Sequence, residues 1–305
     1  MPTLTYWHLD VFTDRLFGGN QLAVCLDPPA DLPKGTMQAI AQEMAFAETT
    51  FVFPAEAAGT DCRVRIFTPA TELPMAGHPT IGTAFALAHA GRLAEGQPFT
   101  VFGEGVGPIR VDLQWDGAEL REAWMTQPAP VFGPSLDRIE TLAAGIGLEP
   151  GDLRPNGLPV QEVSCGVPFV IVPVSSRAAV DRAAPEPRTL KRAFEEQGLP
   201  ERHVYLFTVD GGTDSADVYT RMFAPGAGIL EDAATGSASG PLGAYLVAHD
   251  LSVAARQGTV RNLQGVKMGR PSWISIRSVL QDGAITAMRV GGSAVVVGTG
   301  TIALR

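Results

Sequence analysis

Two stretches of the chain are apolar and free of charge over lengths that suit a helix. Residues 79–90 (PTIGTAFALAHA) and 238–249 (ASGPLGAYLVAH) contain no lysine, arginine, aspartate or glutamate. A helix that is apolar on every side lies in an interior, because it has no polar face to turn toward water. The sequence therefore predicts two buried helices, each enclosed by sheet.

The sequence around these two helices repeats in the same order. Residues 72–79 (ELPMAGHP) align without gaps with residues 231–238 (EDAATGSA), so a glutamate, a glycine and the helix start recur in register. Upstream of them, residues 65–69 (RIFTP) match residues 221–225 (RMFAP). Internal similarity in a fixed order indicates duplication. A chain of 305 residues is also long for a single hydrophobic core.

Short segments rich in β-branched and aromatic residues, bounded by turn signals, predict strands on both sides of the two helices. They are Thr5–Thr13, Thr50–Phe53, Arg63–Phe67, Gly107–Leu113, Pro168–Val174, Val204–Thr208, Asp217–Phe223, Trp273–Val279, Ile285–Val290 and Ala294–Gly298. Apolar residues at helical spacing predict amphipathic helices at Thr36–Ala47, Leu136–Ile146 and Leu190–Gln197.

The expected fold class is α+β, with two pseudo-symmetric domains, each a mostly antiparallel sheet or barrel wrapped around a central buried helix. We place the crossing between the halves in the stretch Leu113–Pro134, which contains prolines and the turn at Asp116–Gly117. The expected domains are residues 1–118 and 119–305, and the last strand, at about 292–305, is a candidate to pair with the first domain.

Composition limits the partners of this chain. The formal net charge of −9 argues against a nucleic acid or an anionic membrane as partner. The three cysteines lie far apart without a CxxC pair, so neither a disulfide framework nor a zinc site is expected. The N-terminus lacks the pattern of a signal peptide, and the longest apolar run, Val167–Val174, is too short for a membrane span. We expect a cytoplasmic protein without a metal site.

The N-terminus of each buried helix offers backbone donors. The first N–H groups of a helix have no partner within it and together carry about half a positive charge. Where water is excluded, a carboxylate or an oxyanion suits these groups. Two such termini that meet at a domain interface would form a dry pocket for an anionic group. The alternative is that Thr80, and Ser237 or Ser239, cap their own helices.

Polar residues stand at both helix starts. At the first, the positive helix end favours a neutral imidazole on His78 that can donate to a substrate oxygen; the alternative is a structural, hydrogen-bonded histidine. Ser237 is its counterpart at the second helix. Asp232 shortly precedes that helix, where it either interacts with the helix dipole or holds a substrate ammonium or hydroxyl group.

Glu48 is a candidate acid/base. It is expected to end the helix Thr36–Ala47 and to begin an apolar strand. The negative end of the helix dipole and partial desolvation would both disfavour the ionised carboxylate and raise its pKa toward neutrality. The alternative is an exposed loop glutamate.

These residues belong to motifs that extend over nearly the whole chain. The motifs are residues 10–13 (DVFT), 19–24 (GNQLAV), 47–52 (AETTFV), 65–69 (RIFTP), 72–80 (ELPMAGHPT), 231–238 (EDAATGSA) and 264–272 (QGVKMGRPS). In this combination the sequence resembles the PhzF (phenazine biosynthesis-like) isomerase family, whose fold is that of diaminopimelate epimerase. The resemblance implies a site in the cleft between two domains, and a homodimer.

The resemblance also implies roles for single residues. Glu48 matches the acid/base glutamate of the family, and the residues that hold and polarise the substrate are matched by His78, Asp232 and Ser237. Further implied substrate contacts are Gly77, Gly236, Asn20 and Thr235. Gln21 and Ala233 depart from the family, which has proline at both positions, and Ala233 could loosen the setting of Asp232.

We therefore expect a cofactor-independent isomerase. A single glutamate would move a proton on a small carboxylate-bearing substrate, in chemistry like that of trans-2,3-dihydro-3-hydroxyanthranilate isomerase. The related epimerases use a cysteine pair at the helix starts, which this chain lacks. Two alternatives stay open: a non-catalytic metabolite- or protein-binding member of the same fold, and an amino-acid epimerase. The sequence does not name the substrate.

Overall fold

Strands and helices are interspersed along the described chain, which in this computed structural model comprises residues 3–210 and 212–304. The first elements are β1 (Thr3–Val11), β2 (Asn20–Leu26), α1 (Lys34–Met44), β3 (Glu48–Pro54), β4 (Cys62–Phe67), β5 (Glu72–Leu73), α2 (Gly77–His89), β6 (Phe99–Glu104), β7 (Gly107–Asp116) and β8 (Glu119–Gln127). They are followed by β9 (Val131–Leu136), α3 (Ile139–Gly145), β10 (Val160–Ser164), β11 (Pro168–Pro173), α4 (Arg177–Arg182), α5 (Pro187–Glu195), β12 (His203–Thr208), β13 (Val218–Ala224) and β14 (Ile229–Asp232). The last elements are α6 (Gly236–Ala248), α7 (Val253–Gln257), β15 (Val260–Gln264), β16 (Ser272–Gln281), β17 (Ala284–Gly292) and β18 (Ala294–Ala303).

These elements form two compact units. Unit 1 extends to Thr126 and resumes at Gly291, and unit 2 is Gln127–Val290. The predicted boundary, between residues 118 and 119, falls inside unit 1, because Gly117 has a positive φ and turns the chain into the hairpin β7–β8. The turn at Asp116–Gly117 thus closes a hairpin, and the chain passes from unit 1 to unit 2 after Thr126, within the predicted stretch Leu113–Pro134. β18 pairs with β1 in unit 1.

Each unit contains the same succession of strand pairings. In unit 1, β1–β2, β3–β4, β4–β5 and β6–β7 are antiparallel, and β2–β3 and β4–β6 are parallel. In unit 2, β10–β11, β12–β13, β13–β14 and β15–β16 are antiparallel, and β11–β12 and β13–β15 are parallel. The repeated sequence is therefore a repeated topology, and the predicted α+β class with two pseudo-symmetric halves is confirmed.

One buried helix stands among the strands of each unit. Residues 77–87 of α2 are all buried, and the helix packs against β1, β2 and β3. Residues 238–247 of α6 are likewise buried, against β10, β11 and β16. Glycine lets the sheet approach closely: a Cβ on Gly82 would lie 2.5 Å from Leu22 Cδ2. The charge-free stretches are thus the buried helices, and each begins two residues before its predicted start.

The amphipathic helices have different bounds from those predicted. α1 ends at Met44, because Ala45 adopts a left-handed conformation with φ 53°, so the prediction of a helix to Ala47 was wrong. α5 begins at Pro187, where the Glu186 carboxylate accepts hydrogen bonds from the first turn. In the described part of the chain, the sequence analysis also missed eight strands and two helices, namely β2, β5, β6, β8, β9, β10, β14, β15, α4 and α7. No helix in residues 3–210 and 212–304 is long and apolar enough to cross a membrane.

Candidate active site

Glu48 lies at the start of β3 with its side chain largely removed from solvent. The parallel pairing of β3 with β2 places Glu48 opposite Leu22. Residues 49–53, which follow it, are all buried, and the Glu48 side chain is 12% exposed. The prediction that Glu48 ends a helix was wrong, because α1 stops at Met44. Burial in the sheet is what desolvates this carboxyl group, and the alternative of an exposed loop glutamate is excluded.

His78 is the second residue of α2 and contacts Glu48. The imidazole Nε2 lies 3.2 Å from Glu48 Oε2, and its side chain is 5% exposed. On the other side of the ring, Nδ1 is 3.4 Å from Asn20 Nδ2. Such a buried nitrogen–oxygen contact is favourable only with a proton between the two atoms, and either group is chemically able to carry it. Glu48 and His78 thus form a close, buried contact between two titratable groups.

The imidazole of His78 is held in its neutral form. Burial lowers the pKa of His78 to about 3, and a backbone hydrogen bond with Gln21 opposes this shift. The N-terminal end of α2 acts in the same direction as burial, because a cation is disfavoured there. The sequence pointed to the helix end as the cause, and the structure adds desolvation by burial.

Hydroxyl groups in the first turns of α2 and α6 do not cap these helices. Thr80 Oγ1 donates instead to the carbonyl oxygen of Ala76 at 2.7 Å, and Ser239 Oγ donates to that of Thr235 at 2.9 Å. Within the described residues, neither N-cap residue, Ala76 or Thr235, accepts a hydrogen bond from its helix through a side chain. The self-capping alternative was therefore wrong for both Thr80 and Ser239. Ser237, the second residue of α6, is half-buried.

Asp232 ends β14 in unit 2 and is held by two neighbours. Thr235 Oγ1 donates to Asp232 Oδ2 at 2.5 Å. Gln264 Nε2 donates to the Asp232 carbonyl oxygen at 2.8 Å and to Thr235 Oγ1 at 2.9 Å. Gln264 Oε1 in turn accepts the Thr235 N–H at 3.1 Å. These bonds hold Asp232 from both its side chain and its carbonyl group, with Ala233 beside it.

A buried polar network supports this arrangement, and sequence reasoning missed it. The Tyr205 hydroxyl donates to Gln264 Oε1 at 2.9 Å and accepts from Asn262 Nδ2 at 2.8 Å. Thr220 Oγ1 donates to Asn262 Oδ1 at 2.9 Å. Every member is buried, so each polar atom depends on these partners. The sequence feature that could have revealed this network is Gln264, the first residue of the last motif, 264–272.

The repeated Arg and Glu residues form equivalent ion pairs. Arg65 Nε and Nη2 bind the Glu72 carboxylate at 2.7 and 3.0 Å. Arg221 Nε and Nη2 bind the Glu231 carboxylate at 2.8 and 2.7 Å. The hydrogen bond from Arg65 lowers the pKa of Glu72 to about 2. Each pair ties the short strand before a buried helix to its neighbour, which explains why both residues recur in register.

The predicted site residues form two groups, one in each unit. The group in unit 1 is Asn20, Glu48, Gly77 and His78. The group in unit 2 is Asp232, Thr235, Gly236 and Ser237. The first group combines a carboxyl group and an imidazole with a helix N-terminus, and the second combines a carboxylate and hydroxyl groups with another helix N-terminus. In the part of the chain that the structure describes, no three or more His, Cys, Asp or Glu residues are arranged to hold a metal ion.

Comparison with known proteins identifies relatives over the full length. The model of the phenazine biosynthesis-like protein family matches residues 9–300. The trans-2,3-dihydro-3-hydroxyanthranilate isomerase of Pseudomonas chlororaphis is 35% identical over 300 residues, covering 98% of this chain and 99% of that protein. An uncharacterized isomerase of Mesorhizobium japonicum is 34% identical over 315 residues, with 99% of each chain covered.

A solved structure shows the same architecture. The PhzF-family phenazine biosynthesis protein of Bacillus anthracis matches with a TM-score of 0.89 at 28% identity, covering 100% of both chains. Sequence, family model and fold agree over the same span. The chain therefore belongs to the phenazine biosynthesis-like (PhzF) family and is an isomerase.

Proposed function

We propose that this isomerase moves one proton on a small carboxylate-bearing substrate without a cofactor, using Glu48 as the only acid/base. The Glu48 carboxylate removes a proton from an acidic C–H position, becomes a carboxylic acid, and returns the proton to another carbon. The observation that carries this proposal is the 3.2 Å contact between the buried Glu48 Oε2 and His78 Nε2. A desolvated carboxyl group beside a neutral imidazole is suited to cycling a proton.

The helix N-termini have a second role in the proposed reaction. Proton removal leaves negative charge on the substrate, and backbone N–H groups in a low-dielectric site stabilise such charge. We assign this role to the backbone at Gly77–His78 and at Gly236–Ser237. Asp232, tied to Thr235, is suited to accept hydrogen bonds from a substrate ammonium or hydroxyl group. Asn20, next to the His78 ring, keeps its role as a proposed substrate contact.

The name of a relative supplies the first candidate substrate. The isomerase of Pseudomonas chlororaphis is named for trans-2,3-dihydro-3-hydroxyanthranilate. We propose this compound, or one with the same amino, hydroxyl and carboxylate groups, as the substrate of this chain. These groups match the anion-binding helix starts and the Asp232 carboxylate.

Epimerisation by a pair of thiols is disfavoured by the state of the cysteines. Cys25, Cys62 and Cys165 are buried free thiols, and burial raises the pKa of each to about 12. A thiol acts as a base or nucleophile only as the thiolate, which is suppressed at such a pKa. A single carboxyl base is the simpler reading of this site.

Solvent deuterium exchange into the candidate substrate tests the role of Glu48. We expect Glu48→Gln to slow exchange by about 10²–10⁴-fold, the usual contribution of a general acid/base. Glu43→Gln is the matched control, because Glu43 is exposed on α1 and undergoes the same chemical change. Native exchange rates in Glu48→Gln would refute the assignment. If neither the wild type nor the control catalyses exchange, the protein is better described as a binding protein. Inversion of a stereocentre in the product would favour an epimerase.

A further inference from the structure

Glu104 is a buried carboxyl group that the proposed reaction does not use. It is the last residue of β6 and is 8% exposed. Its Oε1 lies 2.6 Å from Thr80 Oγ1, and its Oε2 has no hydrogen-bond partner among the described residues. The same Thr80 Oγ1 lies 2.7 Å from the carbonyl oxygen of Ala76, which immediately precedes α2. Three oxygens are therefore linked in a chain from the end of β6 to the start of α2.

The number of protons shared among these three oxygens depends on the protonation state of Glu104. A hydroxyl group donates one proton, and the carbonyl oxygen of Ala76 can only accept. An ionised Glu104 could also only accept, so one of the two short contacts of Thr80 would bring two oxygens together without a proton. A protonated Glu104 removes the conflict: it donates to Thr80, and Thr80 donates to Ala76.

The surroundings of Glu104 favour the neutral acid. Burial raises the pKa of Glu104 to about 8. The nearby cations are bound to other carboxylates, since Arg65 and Lys34 pair with Glu72, and Arg63 pairs with Glu56. The titratable and charged groups near Glu104 or bonded to β6 and its neighbour β4 are Lys34 on α1, Glu56 after β3, Asp61 before β4, Cys62, Arg63 and Arg65 on β4, and Glu72 on β5. The thiol of Cys62 is uncharged, because burial raises its pKa to about 12.

Unit 2 has a glutamine at the equivalent position. Glu104 ends β6 and opens the sequence Glu-Gly-Val, while Gln264 ends β15 and opens Gln-Gly-Val. β6 and β15 are equivalent strands, because each pairs in parallel with the strand that carries the repeated arginine. A glutamine amide has the shape of a protonated glutamate and, like it, both donates and accepts.

The two units also share the next link. Ser239 donates to the carbonyl before α6 as Thr80 does to the carbonyl before α2. In unit 2 the amide of Gln264 donates to Thr235 at that same helix start. A neutral donor at the end of β15 therefore orders the start of α6, and Glu104 occupies the equivalent position at the end of β6.

We propose that Glu104 is a positioning residue, which as a neutral carboxylic acid donates to Thr80 and through it fixes the turn that carries Gly77 and His78. Ionisation of Glu104 leaves Thr80 between two competing acceptors and releases the carbonyl of Ala76. The backbone N–H groups of Gly77 and His78 then lose their set positions. This catalytic consequence rests on the proposed function, whereas the protonation state of Glu104 does not.

The protonation state is tested first, without any substrate. Infrared spectra of the wild type at neutral pH should contain the carbonyl stretch of a buried protonated carboxylic acid, which Glu104→Gln should lack. In NMR titrations toward alkaline pH, the amide signals of Gly77 and His78 should shift in the wild type and stay constant in Glu104→Gln. A wild type without the acid signal overturns the inference.

The pH profile of solvent exchange tests the positioning role. We expect the wild-type rate to fall about tenfold for each pH unit above the Glu104 titration. Glu104→Gln should remain active into that range, because its amide donates at every pH. Glu104→Met and Thr80→Val, which break the chain of hydrogen bonds, should lower the rate at all pH values.

The outcomes separate this inference from the proposed function. If the exchange rate of Glu104→Gln falls at alkaline pH as the wild-type rate does, the positioning role is overturned, even if the two other variants fail to fold. A titration at Gly77 and His78 in a protein that catalyses no exchange refutes the proposed function and supports the protonation of Glu104. Exchange that depends on Glu48 but shows no Glu104 titration supports the proposed function and refutes the protonation of Glu104.

Discussion

The neutral state of His78 makes the stability of this protein depend on pH. The pKa of this imidazole falls from 6.5 in an unfolded chain to about 3 when it is buried in unit 1. Between these values the unfolded chain binds a proton at residue 78 that the folded protein does not bind. The free energy of unfolding therefore decreases as the pH falls through this window, and the stabilisation is complete only above the unfolded pKa.

The size of this effect follows from the two pKa values. One pKa unit corresponds to about 1.4 kcal/mol of difference between the protonation states. Lowering the pH from about 7 to about 4 should therefore remove about 3 kcal/mol of stability through His78 alone. Such a loss is a large part of the roughly 5–15 kcal/mol that holds a typical domain folded.

Urea unfolding of the wild type and of His78→Gln, at several pH values, measures this contribution. Subtracting the two pH profiles cancels the titrating groups that do not contact residue 78, so the difference should grow by about 3 kcal/mol toward about pH 4. Imidazole NMR signals of labelled protein should show His78 uncharged over the same range. A wild type that instead gains stability relative to His78→Gln on acidification would show an imidazolium paired with Glu48, which would refute the neutral-imidazole reasoning.

Two matched pairs of substitutions test the packing and the ion pairs. Gly82→Ala should destabilise the protein by about 1–2 kcal/mol, because its Cβ would lie 2.5 Å from a buried leucine. Gly35→Ala on α1 meets no atom within 4 Å and should stabilise the protein by about 0.5 kcal/mol. Equal denaturant midpoints for the two variants would contradict this reasoning. Arg221→Met should lower the free energy of unfolding by about 3–5 kcal/mol, because Glu231 and three backbone carbonyl groups lose their hydrogen-bond donor. Arg65→Met should cost less in the same unfolding assay, since its glutamate keeps a lysine at 2.7 Å; the reverse order would contradict the argument.

Local composition was sufficient to find the helices that organise the fold. The absence of charge over residues 79–90 and 238–249 does not depend on long-range contacts, so it predicted burial directly. The recurrence of Arg65 with Glu72, and of Arg221 with Glu231, likewise marked elements that later prove to be equivalent ion pairs. These features are local or repeat in order along the chain, and a single sequence displays both.

Element ends were predicted less well, because they depend on single backbone conformations. The left-handed Ala45 ends α1 before Glu48, although the residues on both sides suit a helix. The reasoning about Glu48 used a helix dipole that does not act on it, and its selection as a site residue depended on burial in β3 and on the family motif. A hydrophobic pattern does not contain the φ angle of one alanine.

The sequence by itself determined a duplicated α+β chain with two buried helices and a set of polar residues at their starts. Only the tertiary structure decided how those residues are protonated and held. Neutral His78 requires the burial that surrounding strands provide, and the roles of Glu104 and Gln264 depend on partners about twenty to sixty residues away. Desolvation and hydrogen bonding between distant segments arise only once the chain has folded, so neither can be read from neighbouring residues.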